Sequence, residues 1–225
     1  MSKNSSALQF EVSSNALSGT KAFGQHESLT RRLKDILRAY PEGPSIIYEF
    51  IQNADDAKAT KVIVMLNEKQ YNTDSLLSTE LKQFQGPSLN IYNNATFDER
   101  DFINLSRIGQ GSKLQQLDKT GRFGLGFNCC YHLTDVPSLV SKSSIVFFDP
   151  HTNHLPNASS NAPGIRINFL QSDLVNTFPD QFGPFQDYGD IFDCRLNGEF
   201  DGTLFRYGLC VVTASSVDML HGACF

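Results

Sequence analysis

No apolar run in this chain approaches the ~20 residues that a helix needs to cross a bilayer, so no membrane span is expected. The first residues, M-S-K-N-S-S-A-L-Q-F-E-V, lack the apolar stretch of a secretory signal. No block or stripe of Lys and Arg occurs and the net charge is -5, which gives nucleic acid no electrostatic footing. Cysteine is present as an odd 5, with Cys129 and Cys130 adjacent and no C-x-x-C spacing. Reduced thiols in the cytosol are the simplest reading. N-x-S/T sequons, those at Asn4, Asn94 and Asn157 among them, are then chance occurrences. His151 and His154 stand three apart in a Pro-, Asn- and Ser-rich stretch, a weak basis for a metal site. No internal repeat is visible, and the P-loop pattern G-x-x-x-x-G-K-[ST] is missing.

What is present is enough to build one core: 225 residues at 40% hydrophobic content, with one domain as the default and two possible. The most informative stretch is Ile46 to Ala59, I-I-Y-E-F-I-Q-N-A-D-D-A-K-A. At ~100° per residue, Ile46, Ile47, Phe50, Ile51 and Ala54 cover one arc of a helix. Glu49, Asn53 and Asp56 fall at i, i+4 and i+7 and form a second, narrow stripe that borders the apolar arc. Gln52, Asp55 and Lys58 occupy the far side. A carboxylate-and-amide stripe at helical spacing is usually a solvated face. Here it abuts the apolar arc, and Asn53 and Asp56 are poor helix formers, which points to a pocket wall.

Around this stretch the chain reads as follows. Residues 1–22 are a Ser-, Asn-, Lys- and Gly-rich leader. Ser28 caps a helix carrying Leu29, Leu33, Ile36 and Leu37, which stops near Tyr40-Pro41. Lys61 to Asn67, K-V-I-V-M-L-N, reads as a buried strand, being short, β-branched and continuously apolar. Residues 68–87 are a polar excursion with a little helix. Strands are expected at Ser88–Asn93, Ser144–Phe148, Gly164–Phe169 and Thr203–Val212, with helices over Phe97–Ile108 and near Asp173–Phe178. Gly109 to Thr120 is polar, with glycines at 109 and 111, and reads as a mobile flap. Gly121 to Phe127, G-R-F-G-L-G-F, follows it and opens a helix, F-N-C-C-Y-H-L-T. Its glycines allow backbone to approach an anion closely, and free N–H groups at the helix start favour phosphate.

A lone G-x-x-G-x-G is weak, and its spacing and setting differ from the dinucleotide-binding fingerprint. Together with E-x-x-x-N-x-x-D at 49–56, a strand ending in a polar tight turn at 92–97, and a flap, it becomes specific. The set resembles the ATPase superfamily shared by gyrase, the ninety-kilodalton heat-shock chaperone, histidine kinases and mismatch-repair ATPases. Within that set it is most similar to the sacsin-type N-terminal repeat module. The matching segments are F-G-Q-H-E at 23–27, F-I-Q-N-A-D-D-A-K-A-T at 50–60, I-Y-N-N with a following Phe at 91–97, and G-F-N-C-C-Y-H-L-T-D-V-P at 126–137. F-D-P-H at 148–151, R-I-N-F-L at 166–170, F-P-D-Q-F at 178–182 and G-T-L-F-R at 202–206 complete it.

Periodicity alone gives only mixed α and β. The resemblance implies an α+β fold, a two-layer α/β sandwich in which a mixed, largely antiparallel sheet carries helices on one face and nucleotide lies between the layers. It implies three divisions: a leader at 1–22, a nucleotide-binding domain at 23–206, and a divergent, truncated tail at 207–225. Glu49 is then the general base that orients the attacking water, and Asn53 holds Mg²⁺ through its amide oxygen. Asp56 borders the nucleotide. Gly121, Gly124 and Gly126 shape the phosphate-facing end over Phe123 and Phe127, and Thr203 closes the adenine end. Lys113, by charge and place in the flap, is a phosphate contact. The superfamily has D-x-G-x-G where this chain has Asn93-Asn94-Ala95-Thr96-Phe97, so Asn93 stands in for the adenine-binding Asp as a neutral acceptor. The expected ligands are ATP and Mg²⁺, the expected partners client or co-chaperone proteins, and the expected turnover slow, since nothing here supplies the arginine that the heat-shock chaperone's middle domain brings to the γ-phosphate. The alternative is a non-catalytic scaffold that keeps the fold.

Overall fold

The computed structural model describes residues 27–39, 43–106, 126–189 and 191–209. Lys113, Gly121, Phe123 and Gly124, together with the expected flap, lie outside the described residues, as do all of the expected leader and most of the tail.

Helix α1 (Leu29–Ala39) begins where Ser28 Oγ accepts from the N–H of Arg31 at 3.2 Å, a side-chain cap for one of the orphan donors of the first turn. Its Leu33, Ile36 and Leu37 are buried, following the 3.6-residue period. Helix α2 (Ser45–Asp56) starts after Pro44, and Ile46, Phe50 and Ala54 are its buried face. The α2 carbonyl of Asn53 accepts from Ala57 N–H, that of Asp55 from Lys58 N–H and that of Ala54 from Ala59 N–H, which ends the helix in a tight turn feeding straight into β1. Helix α3 (Glu99–Ser106) has a reciprocal cap. Asp98 Oδ1 accepts from Arg100 and Asp101, and Asp101 Oδ2 accepts from Asp98 N–H.

Six strands form one sheet: β1 (Val62–Asn67), β2 (Ser88–Asn93), β3 (Ser138–Lys142), β4 (Ser144–Phe148), β5 (Gly164–Asn168) and β6 (Phe200–Gly208). Their order is β1-β2-β6-β3-β4-β5, and every pairing is antiparallel. The α+β class and the sandwich of helices on an antiparallel sheet therefore hold. The period-2 rule sorts each strand between two cores. On one face Phe205 and Tyr207 of β6 meet Phe50 of α2, with ring centroids 5.7 and 5.2 Å apart. Leu33, Ile91, Phe102, Phe127 and Leu139 join the same core.

The opposite face is also covered. Leu204, Val140, Ile145 and Phe147 pack there against Leu81 and Phe84 of a 3-10 helix (Thr79–Phe84), and against Phe182 and Phe185 of α5 (Pro179–Gln186). A short α4 (Leu174–Thr177) precedes α5. Buried Arg206 crosses this second core and donates to the carbonyls of Phe84 and Gly86 at 2.9 and 3.3 Å, pinning the excursion between β1 and β2 to the sheet.

Strand β1 differs from expectation. It lies at the sheet edge, and Val62, Val64 and Leu66 are 36%, 40% and 60% exposed. A continuous apolar run is consistent with a central strand, but here only Ile63 and Met65 are turned into a core. The helix expected after Gly126 is a seven-residue 3-10 helix, Gly126–His132.

Candidate functional site

Helix α2 packs on the sheet through Phe50 against Phe205 and Tyr207 of β6, and the chain runs from its end into β1. Val62 pairs with Asn93 and Asn93 pairs with Thr203, and by the period of two Asn93 and Thr203 share the sheet face of Ile91 and Phe205, the face that meets Phe50. Of the side chains expected to form the site, Glu49, Asn53 and Asp56 stand on α2, Asn93 ends β2 and Thr203 lies in β6 opposite it.

Glu49 is half-buried, while Asn53 and Asp56 are exposed. Gly126, the last glycine of the G-x-x-G-x-G stretch and the one among the described residues, meets the helix at Glu49. Gly126 lies so close that a Cβ built on it would fall on Glu49 Oε2 and stand 3.1 Å from Glu49 Cδ. Any larger residue at 126 would occupy the carboxylate's place, so glycine here leaves room for the Glu49 side chain. The 3-10 helix that follows packs against both α1 and α2. Phe127 is buried against Phe148 and Phe205, centroids 5.5 and 6.1 Å away. Burying that ring contributes roughly 1.5–3 kcal/mol, which fixes Gly126 against Glu49. Cys129, two residues on, is buried beside the same carboxylate. Burial, and then the Glu49 charge, push its thiol up to about 12.

At the other end a buried polar network closes the turn after β2. Asn93 Oδ1 accepts from Ala95 N–H at 3.0 Å. Thr203, fully buried, has its hydroxyl 2.8 Å from the carbonyl of Ala95 and 3.0 Å from Ser141 Oγ. Ser141 Oγ in turn accepts from Phe97 N–H at 2.9 Å and donates to the carbonyl of Gly202 at 2.8 Å. Gly202 has φ +148, and a Cβ there would lie 2.5 Å from the Tyr92 ring and 2.9 Å from the Asn93 carbonyl, so only glycine lets β6 run this close to β2. Asn94 ties the turn to the end of α2. Its Oδ1 accepts from Thr60 and Lys61 at 2.8 and 2.9 Å, and its Nδ2 donates to Thr60 Oγ1 at 2.9 Å.

Sequence reasoning did not find Ser141, Asn94 or Cys129. Ser141 lies in β3, a strand that its two serines hide from an apolar pattern. Asn94 was visible as half of an Asn-Asn doublet, a turn signal. Cys129 was visible only as one of an adjacent pair. Among the described residues no group of three or more His, Cys, Asp or Glu could hold a metal ion. A Mg²⁺ at this site would instead be held by one protein oxygen plus phosphates, and the exposed amide of Asn53 has that donor to offer.

The chain belongs to the Sacsin domain family, whose sequence model matches residues 26–222. In particular it is similar to sacsin from Homo sapiens, with 37% identity over 219 residues that cover 92% of this chain. The chain spans 5% of the length of that relative. No described helix is long and apolar enough to cross a membrane.

Proposed function

We propose that this domain binds a Mg²⁺–nucleoside triphosphate, with ATP the ligand that the family resemblance names, and hydrolyses it slowly as a module of a sacsin-like chaperone or co-chaperone. The observation that carries the reading is the close approach of Gly126 to the Glu49 carboxylate. A backbone corner without a side chain beside a half-buried carboxylate is what an attacking water and a terminal phosphate require on their two sides. Glu49 orients that water and takes its proton. Asn53, one turn along the same face, would hold the metal through its amide oxygen, and the metal would supply neutralisation of the charge that develops on the phosphate. Asp56 borders the nucleotide, and Asn93 with Thr203 lines the base end. Gly121, Gly124 and Lys113 remain phosphate contacts by resemblance alone. The module acts in the cytosol on client or co-chaperone proteins, by biasing contacts as nucleotide binds and leaves.

The test is Glu49→Ala. Turnover should fall by ~10²–10⁴ while nucleotide binding persists, the signature of a lost general base. Equal turnover in the variant rules Glu49 out.

One observation favours a second reading, a scaffold that keeps the fold but not the ligand: Asn93 Oδ1 is engaged by Ala95 N–H. An absence of saturable nucleotide binding would leave that reading in its place.

A further inference from the structure

We infer that the outer edge of β1 is a docking surface for a second copy of this chain, the two β1 strands pairing antiparallel about a two-fold axis. The backbone of β1 faces two ways. Asn94 N–H donates to the Lys61 carbonyl at 3.3 Å, and the register runs on in step, Val62 against Asn93 and Ile63 against Tyr92. Bonded positions alternate in an antiparallel pair, so Lys61, Ile63, Met65 and Asn67 turn their N–H and C=O groups to β2. Val62, Val64 and Leu66 turn theirs away from it. Among the described residues no strand pairs with that side, and the same three side chains are apolar and exposed.

The sheet's other edge is guarded. At the middle of β5 stands Arg166, whose guanidinium lies 3.8 Å from the centre of the Phe102 ring and reaches Glu99 Oε1 at 2.8 Å. A charge held at an edge strand deters pairing with another chain. From Val62 to Leu66, β1 has no charge, no proline and no bulge.

A strand fits its own copy only where residues equidistant from its middle match. With Val64 on the axis, Val62 faces Leu66 of the second copy and Val64 faces Val64. These are the positions whose backbone groups are turned outward, so each opposed pair exchanges two N–H···O=C bonds. On the other face Ile63 meets Met65, and Lys61 meets Asn67. Sliding the register two residues either way sets Lys61 against Met65 or against Lys69, which singles out one alignment. The ends complement each other as well. Glu68 of one copy comes beside Thr60 and Lys61 of the other, while Lys69 is held by Asp187 at 2.8 Å. Apolar matching on both faces with opposite charges at the ends is a fit that β1 has to itself, and not to extended chains in general. A strand edge is a small interface, below the roughly 1,200 Å² of a standard one, so the dimer is weak and concentration-dependent.

The test is sedimentation of the full chain from micromolar to millimolar concentration, with amide hydrogen exchange alongside, on native protein, Val64→Lys and Leu66→Lys. Native protein should pass from monomer to dimer, and the amides of Val62, Val64 and Leu66 should gain protection in step. Each lysine variant should weaken association about tenfold or more, with a thermal midpoint near that of the native chain because the side chain replaced is exposed. Val64→Cys gives a readout that does not depend on either: mild oxidation should cross-link two copies through residue 64, since the axis sets those residues opposite each other. A monomer throughout the range, a dimer that both lysine variants leave intact, or cross-linking that bypasses residue 64 overturns the proposal. Protection of the three amides while the protein is monomeric also overturns it, and assigns the edge to a segment of the same chain.

Discussion

Gly126 rests against the carboxylate of Glu49, so closely that a methyl group on Gly126 would take the place of Glu49 Oε2. The atom displaced is the free end of a flexible side chain and not backbone. A Gly126→Ala chain can therefore fold by swinging the carboxylate aside, at a cost of about 1 kcal/mol or less by comparison with overpacked cores. Function should be less forgiving. Gly126→Ala is expected to lose turnover as fully as Glu49→Ala does while its denaturation midpoint stays near that of the native protein. Normal turnover in Gly126→Ala would mean that the Glu49 carboxylate is not the base in this position.

Asn94 holds the segment between α2 and β1 through two backbone N–H groups and one hydroxyl. At about 0.5–1.5 kcal/mol net for each of these three hydrogen bonds, Asn94→Ala should destabilise the domain by roughly 1.5–4.5 kcal/mol, read from the midpoint of denaturant unfolding. Because the same turn carries Asn93, nucleotide affinity should weaken with it. A variant as stable as the native chain would show that the turn is held by its backbone alone.

Stability should fall on the alkaline side. Burial pushes the thiols of Cys129 and Cys194 from the ordinary 9.0 up to about 12, with the charges of Glu49 and Asp193 respectively adding to it. A raised pKa means that the folded chain holds these protons more tightly than the unfolded one. Their contribution is complete below the unfolded value and is lost as pH rises from about 9 towards about 12, at roughly 1.4 kcal/mol per thiol per pH unit. Unfolding midpoints measured at about pH 7.5 and about pH 10 should differ, the alkaline one lower. The same burial predicts that iodoacetamide leaves Cys129, Cys130 and Cys194 unmodified in the native protein and alkylates them after unfolding.

Much of this arrangement was legible beforehand where local pattern decides structure. The 3.6-residue spacing of Leu33, Ile36, Leu37, Ile46, Phe50 and Ala54 marks the buried faces of α1 and α2, and Ser28 marks a helix start. Strands β2, β4 and β5 fall close to their expected bounds. What failed depends on partners distant in sequence. β3 was missed because Ser138 and Ser141 interrupt its apolar pattern, and only the neighbouring β6 and β4 make it a central strand. α5 was hidden by Gly183 and Pro184, although Phe178, Phe182 and Phe185 keep helical spacing. β1 was read as buried because its composition is that of a central strand, whereas sheet order puts it at the edge. At the site, the stripe of Glu49, Asn53 and Asp56 was legible from spacing. The contact between Glu49 and Gly126, and the orientation of the Asn93 amide, were not. Both arise from segments more than 70 residues apart or from a turn whose lock, Thr203 and Ser141, belongs to two later strands.

Calorimetric titration of the domain with a nucleoside triphosphate, in Mg²⁺ and in EDTA, beside Asn53→Ala in Mg²⁺, tests the central claim most directly. The account predicts saturable binding in Mg²⁺ that weakens markedly in EDTA and equally in the variant, whose exposed side chain can be removed without disturbing the core. Binding that ignores both the metal and Asn53, or no heat at millimolar ligand, would contradict it.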